Sequence, residues 1–158
     1  MAPMALVRIL VDGYSLLHSW PELAQGQPRH SAAARDELIR ILTQYSDAVS
    51  IPLTVVFDGG GHRGQREKVP ETSLVEILYS RAGQTADQII ERVAHRMKPY
   101  GEVLAVTNDH AERDTVIAMG GLASSCENFI LTMAGALEDL QRDLHRYNSA
   151  EKRRYKRS

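Results

Sequence analysis

One cysteine, Cys126, stands in a chain of 158 residues. A lone thiol closes no internal disulfide and builds no structural zinc site of the thiolate kind. Long apolar runs are missing as well. Residues 5–11, apolar but for Arg8, fall far below the ~20 residues that cross a bilayer, so no membrane is expected as a partner. The first residues carry no basic segment, extended apolar stretch or small-residue cleavage site of the kind that directs secretion. No internal repeat or low-complexity segment breaks the chain. These absences point to a reducing, cytoplasmic setting. Two chemistries are also excluded. The glycine-rich run from Gly59 to Gly64 lacks the Gly-Lys-Ser/Thr ending that cradles nucleotide phosphates. Ser15 and His18 have around them none of the Gly-x-Ser-x-Gly pattern that raises a serine nucleophile on an elbow.

What is present describes one ordinary globular domain. Hydrophobic residues make up 43% and charged residues 25%, enough apolar side chain for a real core and too much for disorder. The formal net charge of −1 hides an asymmetry. Residues 139–158 hold seven Lys or Arg against three Asp or Glu, which leaves the rest of the chain acidic. The expected organisation is a domain over residues 1–147 followed by a basic tail, 148–158. An acidic body suits a cation, and a basic arm suits a phosphate backbone or simple solubility.

Strand and helix patterns alternate along the chain. Residues 6–11 form a short branched apolar run closed by Asp12-Gly13, the signature of a buried strand. Ser31 caps a helix to about Val49, whose face is Ala34, Leu38, Ile41, Leu42 and Tyr45. Residues 53–57 form a second buried strand, closed by Asp58-Gly59. The glycine-rich, basic stretch 59–70 reads as a loop in which Arg63, Arg66 and Lys68 are candidates for RNA backbone contacts. Residues 74–79 form a third strand. Thr85 caps a helix with the face Ile89, Ile90, Val93, Ala94 and Met97, stopped by Pro99 and Gly101. A fourth strand, 103–106, ends at Thr107-Asn108-Asp109. A helix over 111–119, a short strand at 122–124 and a last helix over 127–147 complete the reading. The pattern predicts an α/β fold of three layers, a central mostly parallel sheet flanked by helices.

In such sheets the functional crevice lies beyond the carboxyl ends of the strands. Asp12, Asp58 and Asp109 each close a strand, and Asp87 stands in the first turn of the helix after the third. All four are therefore expected at one edge. At ~4 Å and an effective dielectric near 20, each close pair costs on the order of 4 kcal/mol. No lysine or arginine adjoins any of the four in sequence. A hard divalent cation, Mg²⁺ or Mn²⁺, removes the repulsion and prefers such oxygen ligands. Each aspartate by itself equally suits a turn or a helix cap. Taken together, Asp12 and Asp109 are expected as central ligands, with Asp58 and Asp87 completing the shell or holding coordinated water. The matching chemistry is direct hydrolysis of a phosphodiester. Tyr14 and Trp20 are candidates to stack on unpaired bases or to pack against the sheet end.

Four motifs, Val11-Asp12-Gly13-Tyr14-Ser15, Val56-Phe57-Asp58, Thr85-Ala86-Asp87 and Thr107-Asn108-Asp109, resemble in order and spacing the YacP-like branch of the NYN-domain nucleases. The resemblance covers the chain to about residue 147 and implies a PIN-like fold. It implies a metal-dependent endoribonuclease, in bacteria linked to cutting mRNA on the translating ribosome, with RNA and the ribosome as partners. It gives Asp12, Asp58, Asp87 and Asp109 catalytic and metal-holding roles, supported by Tyr14, Ser15 and Asn108. Two positions depart from the family pattern: Ser15 replaces the usual Asn, and Gln88 follows Asp87 where a second Asp is common.

Three other functions compete. A catalytically inactive NYN-like module would bind RNA or a ribosome through the same basic segments. A receiver-type phosphoacceptor also gathers acids at strand ends, but it needs a further strand between those ending at Asp12 and Asp58. A haloacid-dehalogenase phosphatase needs a second Asp two residues after the first, where this chain has Tyr14.

Overall fold

The computed structural model describes residues 6–23, 25–28, 31–59 and 73–156. Five parallel strands form one sheet: β1 (Leu6–Asp12), β2 (Leu53–Phe57), β3 (Val75–Tyr79), β4 (Glu102–Val106) and β5 (Leu122–Ser124). Their order across the sheet is β3-β2-β1-β4-β5. Central β1 pairs with β2 through Ile9 to Leu53 and Val11 to Val55, and with β4 through Leu10 to Ala105 and Val11 to Val106. The chain thus winds outward from β1 in one direction and then restarts at β4 in the other. The crevice where such a reversal occurs opens between the ends of β1 and β4.

The helices are α1 (Gly13–His18), α2 (Ala32–Val49), α3 (Ala86–Met97), α4 (His110–Ala118) and α5 (Cys126–Lys156). Alternation along the strands sends side chains to two cores, as a pleated sheet covered on both faces requires. Ile9, Val11, Leu53, Val55 and Phe57 pack with Leu38 and Leu42 of α2 and with Phe129 and Met133 of α5. Leu10, Val56, Val103 and Ala105 face the other way, against Ala86, Ile90 and Ala94 of α3 and Val116 of α4. The outcome is the expected three-layer α/β architecture. Between β1 and β2 the chain forms only α1 and α2, so the extra strand of a receiver is absent from the described residues.

Several local devices act as expected. The Ser31 side chain accepts from the Ala34 amide at 3.2 Å and starts α2. Thr85 starts α3 with a reciprocal cap, its hydroxyl accepting from Gln88 N while Gln88 Oε1 accepts from Thr85 N, both at 3.2 Å. Two features differ from the sequence reading. A short helix, α1, begins at once after Asp12. The last helix, expected to stop near Tyr147, continues to Lys156. Its outer half is held by ion pairs along one turn, Arg142 with Glu138 and Asp139, and Arg154 with Glu151. The basic segment is therefore helical as far as Lys156. Among the described residues no helix is long and apolar enough to cross a membrane.

Gly13 shows how tightly the sheet edge is packed. A Cβ placed there would sit inside the contact distance of the Phe57 ring, 2.9 Å from Cζ and nearer still to Cδ1 and Cε1. Phe57 is fully buried and cannot swing away. Gly13→Ala should therefore destabilise the fold by about 1–3 kcal/mol, as overpacking of a well-filled core does. Urea unfolding monitored by circular dichroism checks this, and an unchanged midpoint would contradict the packing described.

Candidate functional site

The rim beyond the carboxyl ends of the strands gathers acidic groups from four elements. Asp12, the last residue of β1, is 9% exposed and caps α1. Both of its oxygens are occupied by Ser15: Oδ1 accepts from the amide at 3.3 Å and Oδ2 from the hydroxyl at 2.9 Å. Burial raises the Asp12 pKa above the ordinary aspartate value. The Ser15 bonds oppose that rise, and the charges of Asp87 and Asp58 add to it. Ser15 thus orients the Asp12 carboxylate directly.

Asp58 lies just past β2 and reaches across to the neighbouring helix. Its Oδ1 accepts from Ala86 N at 2.6 Å and from Ser80 Oγ at 3.1 Å. Ala86 is the first residue of α3, so this bond fixes the helix start and with it Asp87, the next residue. Gln88 is turned back into the cap of α3. Its polar end thus serves the helix start.

Asp109 caps α4, its Oδ1 accepting from Ala111 N at 2.9 Å and Glu112 N at 3.3 Å. Three residues on, Glu112 is 2% exposed and packed beneath the rim. Neither of its carboxylate oxygens receives a hydrogen bond among the described residues. The group against it is the carboxylate of Asp87. Burial, the contact with Asp87 and the negative charges of Asp87, Asp12 and Glu91 push its pKa up to about 10. In the absence of a cation Glu112 therefore keeps its proton at neutral pH, a costly state for an acid.

Asp87, Asp109 and Glu112 each offer one oxygen, and these atoms all lie within 4.8 Å of one another. Opposite ligands of an octahedral Mg²⁺ stand about 4 Å apart, given bonds of about 2.1 Å. Asp87, Asp109 and Glu112 would have to draw closer to hold one ion together. Among the described residues no ion pair involves Asp12, Asp58, Asp87, Asp109 or Glu112. The N-termini of α3 and α4 favour negative charge near the cluster, but by only ~0.3–1 kcal/mol each. That is less than one close carboxylate pair costs. The cluster, with a buried carboxylate at its base that faces another acid, Asp87, and receives no donor among the described residues, is chemically suited to a divalent cation.

The structure brings Asp87, Asp109 and Glu112 together; Glu112 was not among the expected residues, and Asp12, expected as a central ligand, is outside this group with both oxygens bonded to Ser15. Asp12 and Asp58 stand beside this group and act on it through charge and positioning. The pattern Asp109-x-x-Glu112 looks like an ordinary capping pair. Here, however, the amide of Asp109 bonds to Thr107 Oγ1 at 3.2 Å instead, and Glu112 turns inward. Asn108 clamps the rim: Nδ2 donates to Ser19 Oγ at 2.7 Å and to Glu127 Oε1 at 3.3 Å, and Oδ1 accepts from Cys126 N at 2.9 Å. Tyr14 packs edge-on against Phe57, ring centroids 5.1 Å apart, as part of the core margin. Burial, and then the charge of Asp12, push the Cys126 thiol up to about 12, so it is no nucleophile. Arg63, Arg66 and Lys68 lie outside the described residues.

Comparison with known proteins agrees with this architecture. The family model described as YacP-like NYN domain matches residues 9–158. The YacP protein of Bacillus subtilis (strain 168) is 28% identical over 123 residues, which is 77% of this chain and 72% of that protein. The crystal structure of Rae1 (YacP) from Bacillus subtilis superposes with a TM-score of 0.73 at 24% identity, covering 92% of this chain and 84% of that one. A point mutant of the same protein superposes at 0.72 with 25% identity, covering 90% and 83%.

The strained state of Glu112 makes a testable statement about pH. Its folded pKa is raised from 4.5 to about 10, so the folded protein holds a proton that the unfolded chain releases. The stability this group allows is complete below pH 4.5 and is lost progressively as pH climbs to about 10. In metal-free protein Glu112→Gln should match the wild type near pH 4.5 and become increasingly more stable above it. Thermal melts across that window provide the measurement. A difference that does not vary with pH would contradict the assignment.

Proposed function

The chain belongs to the YacP-like NYN domain family, and on that premise we propose that it is a metal-dependent endoribonuclease that hydrolyses RNA phosphodiester bonds, with mRNA on the ribosome in the cytoplasm as its substrate. The observation that carries this reading is Glu112, a buried carboxylate with no donor, set within one ion's reach of Asp87 and Asp109. Three oxygens of this kind suit Mg²⁺ or Mn²⁺. When bound, such an ion activates water and offsets the negative charge that builds on an attacked phosphoryl group.

The protein's own groups supply the rest. Asp87, Asp109 and Glu112 hold the ion directly. Asp12, its carboxylate oriented by Ser15, keeps the cleft negative and orders water at its edge. Asp58 positions Asp87 through the start of α3, and Asn108 holds the Asp109 loop against α5. Tyr14 backs the rim through Phe57. Cys126, buried and kept as a thiol, offers no nucleophile. Arg63, Arg66 and Lys68 contact the RNA backbone, where charge contributes affinity without reading sequence.

The test is Mn²⁺-dependent cleavage of single-stranded RNA and of a ribosome-bound message. Asp87→Asn, Asp109→Asn and Glu112→Gln should each lower the rate by about 100-fold or more and weaken Mn²⁺ binding, with the circular dichroism spectrum unchanged. Asp12→Asn and Asp58→Asn, acting through their neighbours, should cost about 10–100-fold. Intact RNA after incubation with the wild-type protein and Mn²⁺ would replace this reading with an inactive RNA- or ribosome-binding module.

A further inference from the structure

Beside the acidic rim lies a small cleft that the proposed chemistry does not use. It has a volume of about 110 Å³ and is lined by Leu17, Trp20, Pro21, Leu23, Gln27 and Ala34, among others. Sites for drug-sized molecules run to ~300–1,000 Å³, so this one has room for a single flat ring and not for a nucleotide cofactor. Its floor is the buried side chains of Leu17 and Ala34. Successive turns fix the wall, with Trp20 N donating to Leu17 O and Leu23 N to Trp20 O, both at 3.2 Å. Trp20 itself is half-buried. Among the described residues no ring packs on its indole and nothing accepts from its ring N–H, whereas Tyr14 is engaged by Phe57. Gln27 adds an amide that both donates and accepts.

Position joins this cleft to the rim. The 2.7 Å bond from Asn108 Nδ2 to Ser19 Oγ links the residue before Asp109 to the residue before Trp20. The wall of the cleft is thereby tied to the loop that carries Asp109. We propose that the cleft binds one unpaired nucleobase of an RNA strand held at the acidic cluster, stacked on Trp20 with its polar edge at Gln27. This rests on the ribonuclease reading and adds to it a requirement for single-stranded RNA next to the cut. Stacking of this kind tolerates any base, because every base presents a flat face.

Trp20 is the only tryptophan in the chain, so its fluorescence reports on the cleft alone. Metal-free protein in EDTA is titrated with oligoadenylate and with an abasic ribose-phosphate chain of equal length. Binding is followed separately by the anisotropy of labelled oligonucleotide. Saturable quenching by oligoadenylate, absent with the abasic chain, is expected. Trp20→Leu should bind oligoadenylate about tenfold more weakly, Trp20→Phe should recover most of that loss, and Mn²⁺ affinity should not move. Oligoadenylate that binds without changing the fluorescence overturns the base site and leaves the nuclease reading standing. Loss of both RNA binding and Mn²⁺-dependent cleavage in the wild-type protein would overturn the nuclease reading, and this inference with it.

Discussion

Five carboxylates, those of Asp12, Asp58, Asp87, Asp109 and Glu112, crowd one edge of the sheet, and their mutual repulsion is the constraint that the surrounding structure answers. Parallel strands end on the same side, so the geometry that buries Ile9, Leu10 and Val55 also collects the acids. Two kinds of relief are visible. Oriented donors from Ser15, Ser80 and the first turns of α3 and α4 satisfy Asp12, Asp58 and Asp109. Glu112 receives no donor and holds a proton instead. A cation at the same place would remove the need for that proton, and its binding would be linked to loss of the proton.

Capping and metal holding are not competing explanations of these residues. Asp109 gives one oxygen to the first amides of α4 while offering an oxygen to the cluster. Asp58 is spent on the start of α3, and the benefit falls on Asp87, one residue along. The helix termini thus serve as the scaffold that carries the clustered carboxylates, which ties the precision of the site to the stability of α3 and α4. Gln88, though uncharged, contributes by closing the α3 cap.

The opposite margin of the rim is built from α1 and the start of α5. Asn108 bonds both, through Ser19 and the Cys126 amide, and so holds the β4 end, the first turn of α5 and the segment leading to Trp20 as one unit. A polar clamp there ties the loop that carries Asp109 to the segment that leads to Trp20. It also explains how one short loop after β4 bears on two different surfaces.

The sequence by itself determined the layers. Branched runs at 6–11 (apolar but for Arg8), 53–57 and 103–106, each followed by turn-forming residues, and the helical faces of α2 and α3 leave little choice but a covered parallel sheet. The strand-end positions of Asp12, Asp58 and Asp109 were legible for the same reason, since they follow from where each run stops. Which acids approach within one ion's reach was decided only by the tertiary structure. That depends on how α3 and α4 pack side by side over β1 and β4, and no local pattern encodes it. Glu112 makes the point most clearly. Its spacing from Asp109 is that of a surface cap, yet the bond from Asp109 N to Thr107 takes the partner such a cap would use, and Glu112 is left to turn inward against Asp87. The length of α5 was hidden likewise, because charge pairs one turn apart sustain a helix whose apolar period has already run out.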